Sequence, residues 1–176
     1  MAKNCLAKIG SNITTTCSLP INGVKNIYLM HVEDVTVSPS SVGSWASVTF
    51  TTGAKSYKIE GYKQNIQVTT AVRSLDASNK LDMSVIFKIP SSAKGANVNI
   101  LAPLLTGRFY VLVENNDLTY FIAGGTSPLE CSGVDWDSNA NGQMVTCTLT
   151  APDGSAGNYF TLITPEAVST IISKAS

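Results

Sequence analysis

From Leu81 the chain alternates without a break, with Leu81, Met83, Val85, Phe87 and Ile89 on one phase and Lys80, Asp82, Ser84 and Lys88 on the other. A period of two belongs to a strand with one buried face, because a helix of about 3.6 residues per turn would scatter these apolar side chains around its whole surface. Upstream, Ile66, Val68, Thr70 and Val72 share one phase and Gln67, Thr69, Ala71 and Arg73 the other. Between the two runs lies Asp76-Ala77-Ser78-Asn79, made of residue types that favour turns. The pattern predicts a long β-hairpin over residues 65–89. Its arms of about ten residues exceed the usual strand of about five or six, so the tip is expected to reach past its own domain toward a neighbour. Asp76, Ala77, Ser78 and Asn79 are therefore the candidate subunit interface.

A chain of 176 residues is long enough to bury roughly 70% of the surface its unfolded form exposes. It is read as a single β domain over 1–176, with 1–23 as an N-terminal arm. The formal net charge is zero. Residues 1–94 carry ten Lys and Arg against five Asp and Glu, giving +5, and residues 95–176 carry two against seven, giving −5. With neither an overall basic excess nor a basic run, direct nucleic-acid reading is not expected. The N-terminus, Met1-Ala2-Lys3-Asn4-Cys5-Leu6, lacks the apolar core of a signal peptide, and no apolar run is long enough to span a bilayer. Neither secretion by that route nor membrane insertion is expected. Cys5, Cys17, Cys131 and Cys147 lie too far apart for a C-x-x-C redox or zinc pair and are expected as buried free thiols.

In chain order, residues 13–17 suit a short strand in the arm, one that could pair with a neighbouring subunit. Residues 24–32 suit a strand covered on both faces. Val35-Thr36-Val37 starts an extended piece that Ser38-Pro39-Ser40-Ser41 interrupts, and a strand over Trp45 to Thr51 and another around Tyr57 and Ile59 lead into the hairpin. Val98, Leu101, Leu104 and Leu105 recur at helical spacing, and Pro103 predicts that this helix is short, kinked or ends near Ala102. A second hairpin spans 109–115 and 118–123 around Asn115-Asn116-Asp117. A further strand pair flanks residues 137–144, and Pro165 opens a C-terminal helix. Turns every eight to twelve residues or so predict a mainly β fold. The expected form is an antiparallel β-sandwich or small barrel with a long hairpin and one or two short helices.

The chemical motifs are sparse. Asp137-Ser138-Asn139-Ala140-Asn141-Gly142 matches the start of a calcium loop, but Thr148 stands where the closing glutamate belongs, so a hairpin turn is expected. Gly124-Gly125 lacks dinucleotide spacing and reads as a turn. His31 is the single histidine, expected as a packed or hydrogen-bonded residue beside Glu33 and Asp34. Glu114, Asp117, Glu130, Asp135 and Asp137 are expected to form a solvated acidic rim, since nothing fixes a pair of them at catalytic separation. Neither an enzyme nor a cofactor or metal is expected.

The order of elements resembles that of phage virion structural proteins of the tail-tube type. The elements are the N-terminal arm from Cys5-Leu6-Ala7-Lys8-Ile9-Gly10, the alternating hairpin, a short helix, the strand Phe109-Tyr110-Val111-Leu112-Val113-Glu114 and the Gly-bounded pair ending at Thr148-Leu149-Thr150. In local wording the chain is similar to such proteins in phages and prophages of gut Bacteroidetes, including crAss-like phages. The resemblance covers most of the chain and rests on pattern, with no catalytic residues to carry over. It implies copies that join edge to edge into rings, rings stacked around a channel through which DNA passes without being read, and other virion proteins as partners. It also implies a place in the tail or neck of a virion made in the host cytoplasm. Neck, ring and connector proteins share the fold that the resemblance implies, so another neck, connector or capsid-associated virion protein is the alternative. The reading from a different class is a soluble carbohydrate- or protein-binding β-sandwich, which would show an exposed aromatic patch around Trp45 or Trp136.

Overall fold

Strand follows strand along most of this chain, and their pairing sorts them into two sheets. The computed structural model describes residues 23–41, 43–61, 64–75, 78–90, 101–125, 127–136, 144–152 and 160–175. The strands are β1 (Val24–His31), β2 (Val35–Ser41), β3 (Ser44–Phe50), β4 (Tyr57–Glu60), β5 (Ile66–Leu75), β6 (Ser78–Pro90), β7 (Arg108–Asn115), β8 (Tyr120–Ala123), β9 (Leu129–Trp136), β10 (Met144–Thr150) and β11 (Leu162–Ile163). The helices are α1 (Leu101–Thr106) and α2 (Pro165–Ser173), with a short 3-10 turn at Val32–Asp34. The fold is mainly β, as the alternation predicts.

The larger sheet runs β4-β1-β7-β9-β10-β6-β5, with β8 beside β7. Its end strands β4 and β5 are neighbours in the chain, and this is what rolls the sheet up. At Gly61 the backbone N–H donates to the Lys25 carbonyl of β1 (2.7 Å), and at Asn65 the carbonyl accepts from Lys88 of β6 (3.0 Å). One stretch thus serves β1 at its start and β6 at its end, closing a small barrel. Gly61 is required at the crossing, since an added Cβ would overlap the Lys25 carbonyl oxygen.

The pleat divides each central strand between two cores. Ile27 and Leu29 of β1 and Phe109, Val111 and Val113 of β7 point into the barrel, with Met83, Val85, Phe87 and Ile89 of β6, Cys147 and Leu149 of β10, and Leu104 of α1. Tyr28 and Met30 of β1 and Leu112 of β7 point outward, where Val35, Trp45 and Val48 of the smaller sheet meet Ala167, Val168 and Ile171 of α2. Full burial of such aliphatic side chains contributes about 1.5 to 3 kcal/mol each. The smaller sheet, β11-β3-β2, covers one wall of the barrel. At the start of α2 the Thr164 hydroxyl caps the helix by accepting from Ala167 N, with Pro165 in the first turn as the sequence predicts.

Several expectations are corrected. β2 runs on through Pro39, where the register shifts against β3; Pro39 costs no ladder bond on the outer side because β2 is an edge strand. On β3, Trp45 pairs with Pro39 and Ser47 with Ser38, so Ala46 bulges and both Trp45 and Val48 reach the core despite their three-residue spacing. β11 pairs with β3 in parallel, not antiparallel, fashion. The helix α1 (Leu101–Thr106) is short, one of the three outcomes expected from Pro103, and it runs past Ala102 instead of ending there. In the second hairpin the return strand β8 begins at Tyr120 and not at Leu118, which lies in the turn with φ 63°. The proposed strand at 13–17 and the loop 137–142 lie outside the described residues.

Candidate functional site

The first hairpin outgrows the barrel. β10 accompanies β6 from Pro90 to Ser84, where its last residue Thr150 is paired, while the β5–β6 ladder continues from Thr70↔Met83 to Leu75↔Ser78. At about 3.3 Å per residue this leaves an arm of roughly 20 Å beyond the last rung shared with β10. Among the described residues no strand pairs with the outer edge of β5.

The residues expected at the tip divide. Ser78 and Asn79 are strand residues of β6, in register with Leu75 and Ser74, so the connection is tighter than the four-residue turn read from composition. Asp76 and Ala77 lie outside the described residues. A residue not singled out beforehand takes their place as the clearest marker. Val72 belongs to the same phase as buried Ile66 yet is 67% exposed, and Leu81 is registered opposite it. The apolar phase therefore continues onto the arm after the core that would cover it has ended. The signal was present in the sequence as an alternation longer than a domain wall requires.

The acidic residues are not one rim. Asp117 and Asp135 are exposed, and Thr119 holds the Asp117 carboxylate through its hydroxyl (2.6 Å) and its N–H (3.1 Å). These bonds keep the Asp117 carboxyl below its ordinary value. Glu130 pairs with Arg108 at 3.0 Å. Asp137 lies outside the described residues. Glu114, by contrast, is buried at 4% exposure. Its Oε1 accepts from Lys25 Nζ (2.7 Å) and Tyr120 OH (3.4 Å), and its Oε2 from Asn26 Nδ2 (2.7 Å) and Tyr28 OH (3.2 Å).

Consecutive residues of a strand normally point to opposite faces. Lys25 and Asn26 both reach Glu114 because the β1–β7 register shifts between Val24 and Asn26. Burial pushes the Glu114 carboxyl up, but the bonds from Lys25 and Asn26, the Lys25 charge and Tyr28 outweigh it and leave the group below its ordinary value. Tyr28 is pushed up to about 12, by burial first and then by the Glu114 charge. All the donors converge on one carboxylate that is fully engaged, an arrangement that ties β1, β7 and β8 together.

The remaining candidates are packing residues. The His31 ring lies against Phe109, centroids 4.5 Å apart. Cys131 and Cys147 are free thiols on the barrel side, and burial pushes Cys147 up to about 11. Cys5 and Cys17 lie outside the described residues. Trp45 is 4% exposed and meets Tyr110 edge-on at 5.0 Å, so it forms no open aromatic patch; the Trp136 side chain lies outside what is described. Among the described residues no three His, Cys, Asp or Glu gather as metal ligands, and no helix is long and apolar enough to cross a membrane. No family model, curated protein or solved structure matches the chain.

Proposed function

We propose that this chain is a structural subunit of a phage virion, a tail-tube or tube-like ring protein whose copies join through the projecting hairpin and enclose a channel for DNA. The observation that carries the reading is the arm beyond Thr150, with Val72 exposed on the phase that is buried in the barrel. An apolar side chain placed on a ribbon of two strands has no cover among the described residues, and a contact with the next copy would supply it. The rest of the proposal comes from the resemblance in element order. Its mechanism is assembly: DNA passes without being read, and no residue is assigned a catalytic role. The binding-module alternative loses one of its two aromatic candidates, since Trp45 is core.

Negative-stain imaging of the purified protein, with sizing by light scattering, tests the proposal. Rings or tubes are expected for the parent, and dispersed subunits of unchanged fold for Val72→Asp. A parent that stays monomeric at high concentration would count against the reading, as would a Val72→Asp variant that assembles as the parent does.

A further inference from the structure

Where β5 begins, a groove of about 660 Å³ opens between it and the start of β1, inside the range of roughly 300 to 1,000 Å³ that small-ligand sites occupy. Its apolar side is built by Val24, Val68, Phe121 and Phe160. The Phe160 ring is 49% exposed and meets Phe121 edge-on at 4.9 Å, a contact that steadies the ring and leaves much of it open. The polar side carries three amides, Gln64, Gln67 and Asn115. Asn115 donates one amide proton to the Thr119 hydroxyl (2.9 Å), while Gln64 and Gln67 are exposed. Gln64 holds φ 58°, a left-handed conformation uncommon in a residue other than glycine.

We propose that this groove is a binding site for a neutral saccharide. Among the described residues no Lys, Arg, His, Asp or Glu lines it, so a phosphate, a carboxylate or an organic cation finds no counter-charge there. A wholly apolar ligand would cover the amides without replacing their bonds to water. A sugar ring matches both sides. The C–H groups of one face sit against an aromatic ring, whose face carries negative π charge. The hydroxyls at its rim meet side-chain amides, each of which presents a donor and an acceptor side by side, as two adjacent hydroxyls do. The two phenyl rings stand nearly perpendicular (86°), so they form no slot for a flat ring such as a nucleobase.

A peptide strand is the other neutral ligand with this mixture of groups. It binds by a run of backbone N–H and C=O along one edge, and the groove breaks that run on both sides: Gln64 before β5 and Gly23 (φ 107°) before β1 are left-handed, out of the extended conformation, where they line it. A left-handed residue that carries a side chain persists where its surroundings hold it, and such positions gather at ligand sites. Here that residue supplies one of the three amides. The site is separate from the contact assigned to the arm, since Val72 lines no part of it.

Affinity electrophoresis of the full chain in native gels tests this, with dextran, galactan, mannan, xylan and glycol chitin as neutral polysaccharides and heparin and hyaluronan as anionic ones. Retardation by at least one neutral polysaccharide is expected, weakened about tenfold in Phe160→Ala. Leu162→Ala, which removes a side chain that is also exposed but lies outside the groove, should bind as the parent does. Gln64→Gly relieves the left-handed backbone while deleting an amide, so it should fold at least as well as the parent and bind less tightly. The proposal is overturned by the absence of retardation in every neutral gel, by retardation in heparin or hyaluronan alone, or by neutral binding that Phe160→Ala and Gln64→Gly leave intact. Side-chain amide NMR signals of Gln64, Gln67 and Asn115 that shift with a casein peptide digest and with no glycan would give the groove to a polypeptide and overturn it as well.

Discussion

Glu114 would be costly to bury alone, and three of its four donors come from positions far away in the chain. Lys25, Asn26 and Tyr28 precede it by more than eighty residues. No local motif announces the cluster, and for that reason the sequence placed Glu114 with the solvated acids. The available signal was phase. Glu114 shares that of Leu112 in a strand covered on both faces, and a charged side chain there must find partners. Its stability contribution follows from proton linkage. The folded carboxyl titrates below its ordinary 4.5, so its contribution is complete above about pH 4.5 and is lost as pH falls through the folded value. Tyr28 has the opposite limb: held at about 12 against an ordinary 10.0, it contributes fully below pH 10 and loses that contribution as pH rises toward 12. Glu114→Gln should cost about 2 kcal/mol at neutral pH and flatten the acid limb. Denaturant titrations from pH 6 to 3 check this, and a variant that loses stability on acidification as steeply as the parent would clear Glu114 of the role.

At the scale of elements, the first hairpin was the most legible part of the chain, because a period of two needs no knowledge of what lies opposite. Its length was legible as well. Its tip was not, since Ser78 and Asn79 have turn-forming side chains but backbones held by Ser74 and Leu75, and pairing overrides composition there. Pro39 misled for a related reason: it sits on an edge strand, a position defined by neighbours that the local sequence does not reveal. The same phase of the hairpin supports a contrast. Val85 is fully buried, and Val85→Asp should unfold the protein at a cost of several kcal/mol, whereas Val72→Asp on the arm should shift stability by less than about 0.5 kcal/mol. Thermal melts of the two variants decide it: equal losses would mean that the arm is packed within its own subunit.

Across the whole molecule the basic and acidic halves of the sequence are interleaved. Lys25 from the first half is joined to Glu114 from the second, so part of the charge asymmetry is spent inside the subunit, while Asp117, Asp135 and Glu166 remain exposed. The closing of the barrel by β4 and β5 also sets an order in time. Pairs such as β5–β6 and β7–β8 join neighbours in the chain and form in about 1 to 10 microseconds, but β1 must wait for Glu114 and its strand, and β6 and β9 both wait for β10. A nascent chain halted before Met144 would hold Val85 and Phe87 on an unfinished wall, and refolding of the whole should take milliseconds to seconds, as non-local topologies do. Stopped-flow fluorescence of the tryptophans measures this rate, and completion within about a hundred microseconds would mean that joining the two ends of the sheet is not the step that limits folding.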